Sequence, residues 1–149
     1  MTVIINDNTS VTVTYGIDTE VTVSWVAGLP GPAGDGVTFV AVADQAIGGH
    51  RVVRSTATGC DYADSSNLTH LGKVIGITNA ATSAGNSVKI WPAGKITEPS
   101  FNFALGPVYL STNGLLTQTP PTTGFIQQIG VALSQTTILV QILNPIEVA

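Results

Sequence analysis

Gln127-Gln128-Ile129-Gly130-Val131-Ala132-Leu133-Ser134-Gln135-Thr136-Thr137-Ile138-Leu139-Val140-Gln141-Ile142 reads as one hairpin, two apolar, β-branched runs joined at Ser134-Gln135-Thr136. Short runs of this composition bounded by turn residues signal paired strands. The layout occurs twice. Lys73-Val74-Ile75-Gly76-Ile77-Thr78 precedes an Ala/Thr/Ser/Gly/Asn loop and then Ser87-Val88-Lys89-Ile90-Trp91. Both copies carry Ile-Gly-(Ile/Val) in the first strand. Two related hairpins imply a small β-barrel or sandwich. Glycine weakens a strand interior, so a bulge or a sheet-closing bend is expected at Gly76 and at Gly130.

Outward from the hairpins, strand and turn signals continue. Val37-Thr38-Phe39-Val40-Ala41-Val42 and Arg51-Val52-Val53-Arg54 are short strand candidates, and Gly48-Gly49-His50 is a turn leading into the second. Pro107-Val108-Tyr109-Leu110 is a strand, Asn113-Gly114 is a strong turn signal, and Leu115-Leu116-Thr117 returns. Pro120-Pro121 ends that strand, and Gly124 starts a long one through Val131. No segment shows a capped apolar stripe of helical period; one short turn is expected around Ala63-Asp64-Ser65-Ser66-Asn67. The fold class is all-β.

Residues 1–27 form a separate strand-rich segment. Val11-Thr12-Val13-Thr14-Tyr15 and Val21-Thr22-Val23-Ser24-Trp25 alternate apolar with polar, the period of a half-buried sheet. So short a segment cannot bury a core of its own, so it must pair with something else. Val11, Val13, Tyr15, Val21, Val23 and Trp25 are its candidate anchor residues.

Between this segment and the body (37–149) lies Gly28-Leu29-Pro30-Gly31-Pro32-Ala33-Gly34-Asp35-Gly36, nearly three Gly-X-Y triplets. A triple helix demands glycine at every third place because only glycine fits on the crowded axis. Residues 28–36 thus read as a collagen-like stalk carried by Gly28, Pro30, Gly31, Pro32 and Gly34, which makes the working unit a homotrimer. The alternative is a stiff polyproline II linker in a monomer.

Composition narrows the function. Of 149 residues only 9% are charged, the formal net charge is −4, and five basic residues are scattered along the chain. That footprint lacks the basic stripe a phosphate backbone requires, which argues against nucleic-acid binding. No apolar run approaches the roughly 20 residues that cross a bilayer. The N-terminus has no basic and apolar leader pattern, and the single Cys60 fits a chain made in a reducing cytoplasm.

Catalytic patterns are sparse. Cys60 lies midway between His50 and His70, but one thiol and widely spaced histidines make a poor metal or nucleophile set; a buried thiol and two loop histidines is the simpler reading. Asp61 and Asp64 are spaced like loop and capping residues, and no cluster of sugar-binding aromatics stands beside them. Asp18 and Glu20 are too few for calcium, and Asn8-Thr9-Ser10 and Asn67-Leu68-Thr69 match the glycosylation sequon in a chain without a leader. No cofactor, metal or catalytic residue is expected.

The run from Gly106 to Leu133, most specifically Val108 to Ala132, resembles a module of small structural proteins of tailed bacteriophages: capsid decoration (cement or head-fibre) proteins and distal parts of tail fibres. Leu71–Thr78 with Ala84–Val88 resembles the module's first half, and the likeness spans roughly residues 39 to 143. The resemblance implies a β-barrel-like module, a homotrimer, a virion location and no catalysis. The expected function is a trimeric decoration protein on the capsid exterior, made in the host cytoplasm, whose N-terminal segment holds the major capsid protein. The alternative is a tail-fibre tip or adaptor that contacts a host surface receptor.

Overall fold

The computed structural model describes residues 2–6, 10–15, 19–24 and 37–148. Trp25 and the triplet residues Gly28, Pro30, Gly31, Pro32 and Gly34 lie outside the described residues. The chain is all-β and divides into two compact units, residues 1–34 and 35–149.

The first unit contains an antiparallel meander of β1 (Thr2–Asn6), β2 (Ser10–Tyr15) and β3 (Thr19–Ser24). The two expected strands are joined by β1, whose Thr-Val-Ile-Ile-Asn sequence is less regularly alternating. Register places Val3, Val13 and Val21 in one row and Ile5, Val11 and Val23 in another. These rows lie two positions apart, so the six aliphatic positions fall on one face of the sheet. Tyr15 pairs with Thr19 at the end of the ladder.

The second unit holds two five-stranded antiparallel sheets. The first contains β4 (Phe39–Val42), β5 (Val52–Ser55), β6 (Cys60–Tyr62), β7 (Val74–Thr78) and β8 (Ser87–Trp91), in the order β4-β8-β7-β5-β6. The second contains β9 (Ala93–Thr97), β10 (Gly106–Leu110), β11 (Leu116–Thr117), β13 (Gln128–Ser134) and β14 (Thr137–Gln141), in the order β11-β10-β13-β14-β9. A two-stranded sheet pairs β12 (Phe125–Ile126) with β15 (Ile146–Glu147).

The two large sheets share one topology. Each runs from its first strand to its fifth, fourth, second and third. The likeness between the hairpins thus extends to ten strands, and it includes a defect. Val53 pairs with Gly76 and Arg54 with Val74, leaving Ile75 unopposed; Val108 pairs with Gly130 and Tyr109 with Gln128, leaving Ile129 unopposed. Each expected bulge therefore falls one residue before its glycine, between the fourth and second strands of its sheet.

No closed barrel forms. The edges of the first sheet meet at a single parallel bridge between Ala43 and Cys60, and the second sheet is bounded by β11 and β9. Past Ala43 the chain turns away: Asp44 N–H donates to the Cys60 carbonyl at 2.9 Å, and Ile47 bridges to Thr82. The contact is too short to become a ladder.

Two apolar clusters hold the unit together. Val52, Ala63 and Ile77 from the first sheet's side meet Ile96, Val108, Leu110, Phe125, Ile129, Ile138 and Val140 in the larger. The smaller, on the other face of the first sheet, contains Ala43, Ile47, Val53, Cys60, Val88 and Ile90. Val52 and Val53 are both fully buried and point into different clusters, as adjacent strand residues must. Each such aliphatic side chain contributes about 1.5–3 kcal/mol on leaving water.

One local expectation needs correction. The strand from Gly124 to Val131 is broken at Gln127, because Phe125-Ile126 pairs with β15 while β13 pairs with β10 and β14. Gln127 is buried at the break and its Nε2 donates to the Leu143 carbonyl at 3.0 Å. The short turn expected around Ala63–Asn67 does form, closed by the Asn67 N–H donating to the Asp64 carbonyl at 3.2 Å, and a single 3-10 turn at Leu68–His70, capped by the Asn67 side chain, follows it. The Asn113-Gly114 signal does make the β10–β11 turn, with φ of 51° and 68° at these two residues, the left-handed values that favour Asn and Gly.

Candidate functional site

The residues singled out for chemistry are engaged in holding loops. Asp61 faces Arg54, with Oδ2 and Nη2 3.5 Å apart, and accepts a hydrogen bond from Gln45. Asp64 accepts from the Ser66 N–H at 2.9 Å, from the Ser66 hydroxyl at 2.6 Å and from the Asn113 N–H at 3.2 Å. Burial raises the Asp64 pKa, but these donors outweigh it and leave the carboxyl below its usual range. The two carboxylates serve separate partners and do not form a pair across a cleft.

Cys60 is fully buried in the smaller cluster, and burial, with the charges of Asp44 and Asp61, pushes its thiol pKa up. A protonated thiol is neither a nucleophile nor a metal ligand. The Asn67 amide oxygen accepts from the Thr69 N–H at 3.0 Å and hydroxyl at 2.8 Å, so the sequon asparagine is a cap. Among the described residues, no three His, Cys, Asp or Glu side chains group as metal ligands.

One cleft of about 350 Å³ brings titratable and aromatic groups together. His50 adopts φ 54°, an uncommon conformation for a residue with a side chain. Its N–H donates to the Thr78 carbonyl at 2.9 Å, and its Nε2 lies 3.5 Å from Glu98 Oε2. The imidazole meets Phe101 edge-on at 5.7 Å, and Phe101 tilts against Phe103 at 5.2 Å. Arg51 lines the same cleft and donates through Nη1 to the Asn113 carbonyl at 3.3 Å. The Ser100 N–H donates to Glu98 Oε1 at 3.1 Å, and hydrogen bonding from Ser100 holds that carboxyl below the usual range.

Several apolar sheet surfaces are left in water. In β4, Phe39, Val40 and Val42 are exposed, Val40 to 62%, and Val37 just before them to 75%. Strand alternation turns Ala41 toward the smaller cluster and Val40 and Val42 to the opposite face, where Val40 stands across from Lys89. Lys89 and Trp91 share that face, and Trp91 packs against the larger cluster. Val40 and Val42 therefore extend a face that elsewhere forms the core between the sheets.

On the outer face of the second sheet, Pro107, Val131, Leu139 and Lys95 form one row across four strands. Leu139 is exposed, as is Leu133. Neither surface was picked out from the alternating patterns that marked Val11, Val13, Val21 and Val23. A signal was present: Phe39-Val40-Ala41-Val42 and Ile138-Leu139-Val140 lack a polar residue at alternate positions, and such runs belong to strands apolar on both faces.

Comparison with protein-family models, with characterised proteins and with solved structures finds no match to this chain.

Proposed function

We propose that the chain is a non-catalytic structural protein of a bacteriophage particle, a homotrimer that decorates the capsid exterior. The observation that carries this reading is the division of labour along the chain. A three-stranded sheet with one aliphatic face forms a unit apart from a body that has its own cores. Between them the sequence runs in Gly-X-Y triplets. An anchor, a stalk and a knob account for all three. A sheet of three short strands gains stability when its apolar face is covered, and the major capsid protein is the surface assigned to it. Three anchors on one stalk bind through effective concentration, so each contact can be weak. The likeness of Val108–Ala132 to phage structural modules supports the same reading.

A second reading, a tail-fibre tip that contacts a host receptor or glycan, draws on the cleft at His50, Arg51 and Phe101. An aromatic face with flanking polar donors suits a sugar ring. Copy number separates the two. Quantitative staining of purified virions should give tens to hundreds of copies for a decoration protein; only a few per particle would favour the fibre tip and sink the first reading.

A further inference from the structure

We infer that the face of β4 bearing Val40 and Val42 is covered, in the assembled protein, by the β4 strands of two further copies of the same chain. The inference rests on the three-chain reading of residues 28–36 and names the contact that the body adds to it.

The strand itself gives the first reason. β4 is an edge strand whose only ladder is with β8; Gly59 and the Ala43–Cys60 bridge close just its C-terminal end, and edge strands are normally blunted by charge, proline or a bulge. Phe39-Val40-Ala41-Val42 has none of these, and its ladder with β8 runs without a register shift. Val37, Val40 and Val42 are 75%, 62% and 42% exposed, although they carry no polar atom beyond the backbone. Such a surface indicates a partner.

Chain position identifies the occupant. Gly36 closes the last triplet and Val37 follows directly. Val40 lies four positions after Gly36, a reach of at most about 14 Å when fully extended. Three chains joined at the triplets therefore hold their β4 strands together at high effective concentration, whereas a foreign protein would have to compete for the same space. The outer face of the second sheet has no such tether.

Symmetry defines the contact further. An antiparallel ladder between two copies of one strand needs a two-fold axis, which three equivalent chains do not provide. The β4 strands must meet through side chains around the axis, with Val40 and Val42 directed inward. Lys89, across from Val40, lies at the rim, where its aliphatic stem can cover valine while its ammonium stays in water.

The test measures the mass of the full chain by sedimentation or light scattering over a dilution series, for wild type, Val40→Asp, Val40→Asp/Val42→Asp and Leu139→Asp. The wild type is expected at three times the 15.3 kDa chain mass. The β4 variants should raise the concentration at which trimers dissociate by at least tenfold, and Leu139→Asp should leave it unchanged. Both valines and Leu139 are partly in water, so circular dichroism should report an intact fold in every variant. A wild type at single-chain mass at micromolar concentration overturns the three-chain reading and the contact with it. A wild-type trimer that the β4 substitutions leave equally stable, or that only Leu139→Asp loosens, overturns the β4 contact and leaves the three-chain reading standing.

Discussion

A side chain at Gly130 would collide with the carbonyl oxygen of Leu139 on the neighbouring strand. Gly76 occupies the matching place in the other sheet. A Cβ there would lie 2.5 Å from both the Trp91 carbonyl oxygen and the Ile90 side chain, and φ at Gly76 is 155°. Each glycine lets the hairpin partner close over the strand beside a bulge. Gly130→Ala and Gly76→Ala should each destabilise the body by about 1–3 kcal/mol, the usual cost of forcing atoms into a packed site. Gly48→Ala is the control, since a Cβ there meets nothing closer than Arg51 at 3.5 Å. Denaturant unfolding of the three variants checks this, and equal midpoints would remove the steric account.

Acid should destabilise the body in two windows. Burial, reinforced by Arg54, lowers the His70 pKa from 6.5, so the unfolded chain takes up the proton first. Stability is then full above pH 6.5 and falls as pH drops toward the folded value. The depressed Asp64 pKa acts lower: its contribution is present above the unfolded value of 3.8 and is lost as pH falls through the folded one. Unfolding midpoints measured from pH 8 to pH 2 should therefore drop in both ranges. His70→Gln should flatten the upper step, and Asp64→Ala the lower.

Much of this arrangement was legible because strands advertise themselves locally. Val131 to Val140, Val74 to Thr78 and Val88 to Trp91 carry β-branched runs, and Asn113-Gly114 carries the turn. What escaped depends on distant partners. Ala93-Gly94-Lys95 has little strand propensity, yet β9 forms because Gly94 pairs with Val140 and Ile96 with Ile138. Phe125-Ile126 separates from β13 because its partner lies at Ile146-Glu147, twenty residues on. The glycines announced a bulge, but only the pairing reveals that both sheets stack five strands in one order. Surfaces followed the same rule: the strands carrying Val11, Val13, Val21 and Val23 were readable from alternation, whereas the exposure of Val40 and Leu139 depends on what the second sheet leaves uncovered.

Cys60 tests the smaller cluster. The position is fully buried among Ala43, Ile47, Val53, Val88 and Ile90, so the thiol behaves as a small apolar group. Cys60→Ser places a hydroxyl there and should cost about 1–3 kcal/mol, whereas Cys60→Ala should cost less. In the folded protein an aromatic disulfide reagent should label Cys60 far more slowly than a free thiol at pH 8, and denaturant should restore the full rate. Rapid labelling of folded protein would place the thiol outside the cluster.

If the proposed three-chain reading holds, the triplet glycines should bear on assembly rather than on the body's fold. In a triple helix Gly31 occupies the axis, so Gly31→Ala should lower the temperature at which trimers dissociate. The unfolding of the body, whose cores lie within residues 43–140, should be unaffected. Scanning calorimetry of the full chain reads both transitions. A dissociation transition that does not move would mean that the chains are not bundled at Gly31 and that residues 28–36 act as a linker.

Deleting residues 2–26 tests the proposed anchor. The second unit, residues 35–149, contains both clusters and all three of its own sheets, so the truncated chain should fold with the same unfolding midpoint as the full body. What it should lose is attachment, because the rows Val3/Val13/Val21 and Ile5/Val11/Val23 go with the deleted strands. Co-sedimentation with particles that lack the protein measures the loss. An intermediate case, Val13→Asp with Val21→Asp, introduces two charges into a single row and should weaken binding at least tenfold without changing the oligomeric state. If the truncated chain sediments with particles as well as the full chain does, the contact with the capsid lies in the body, where the outer row of Pro107, Val131 and Leu139 becomes the surface to mutate.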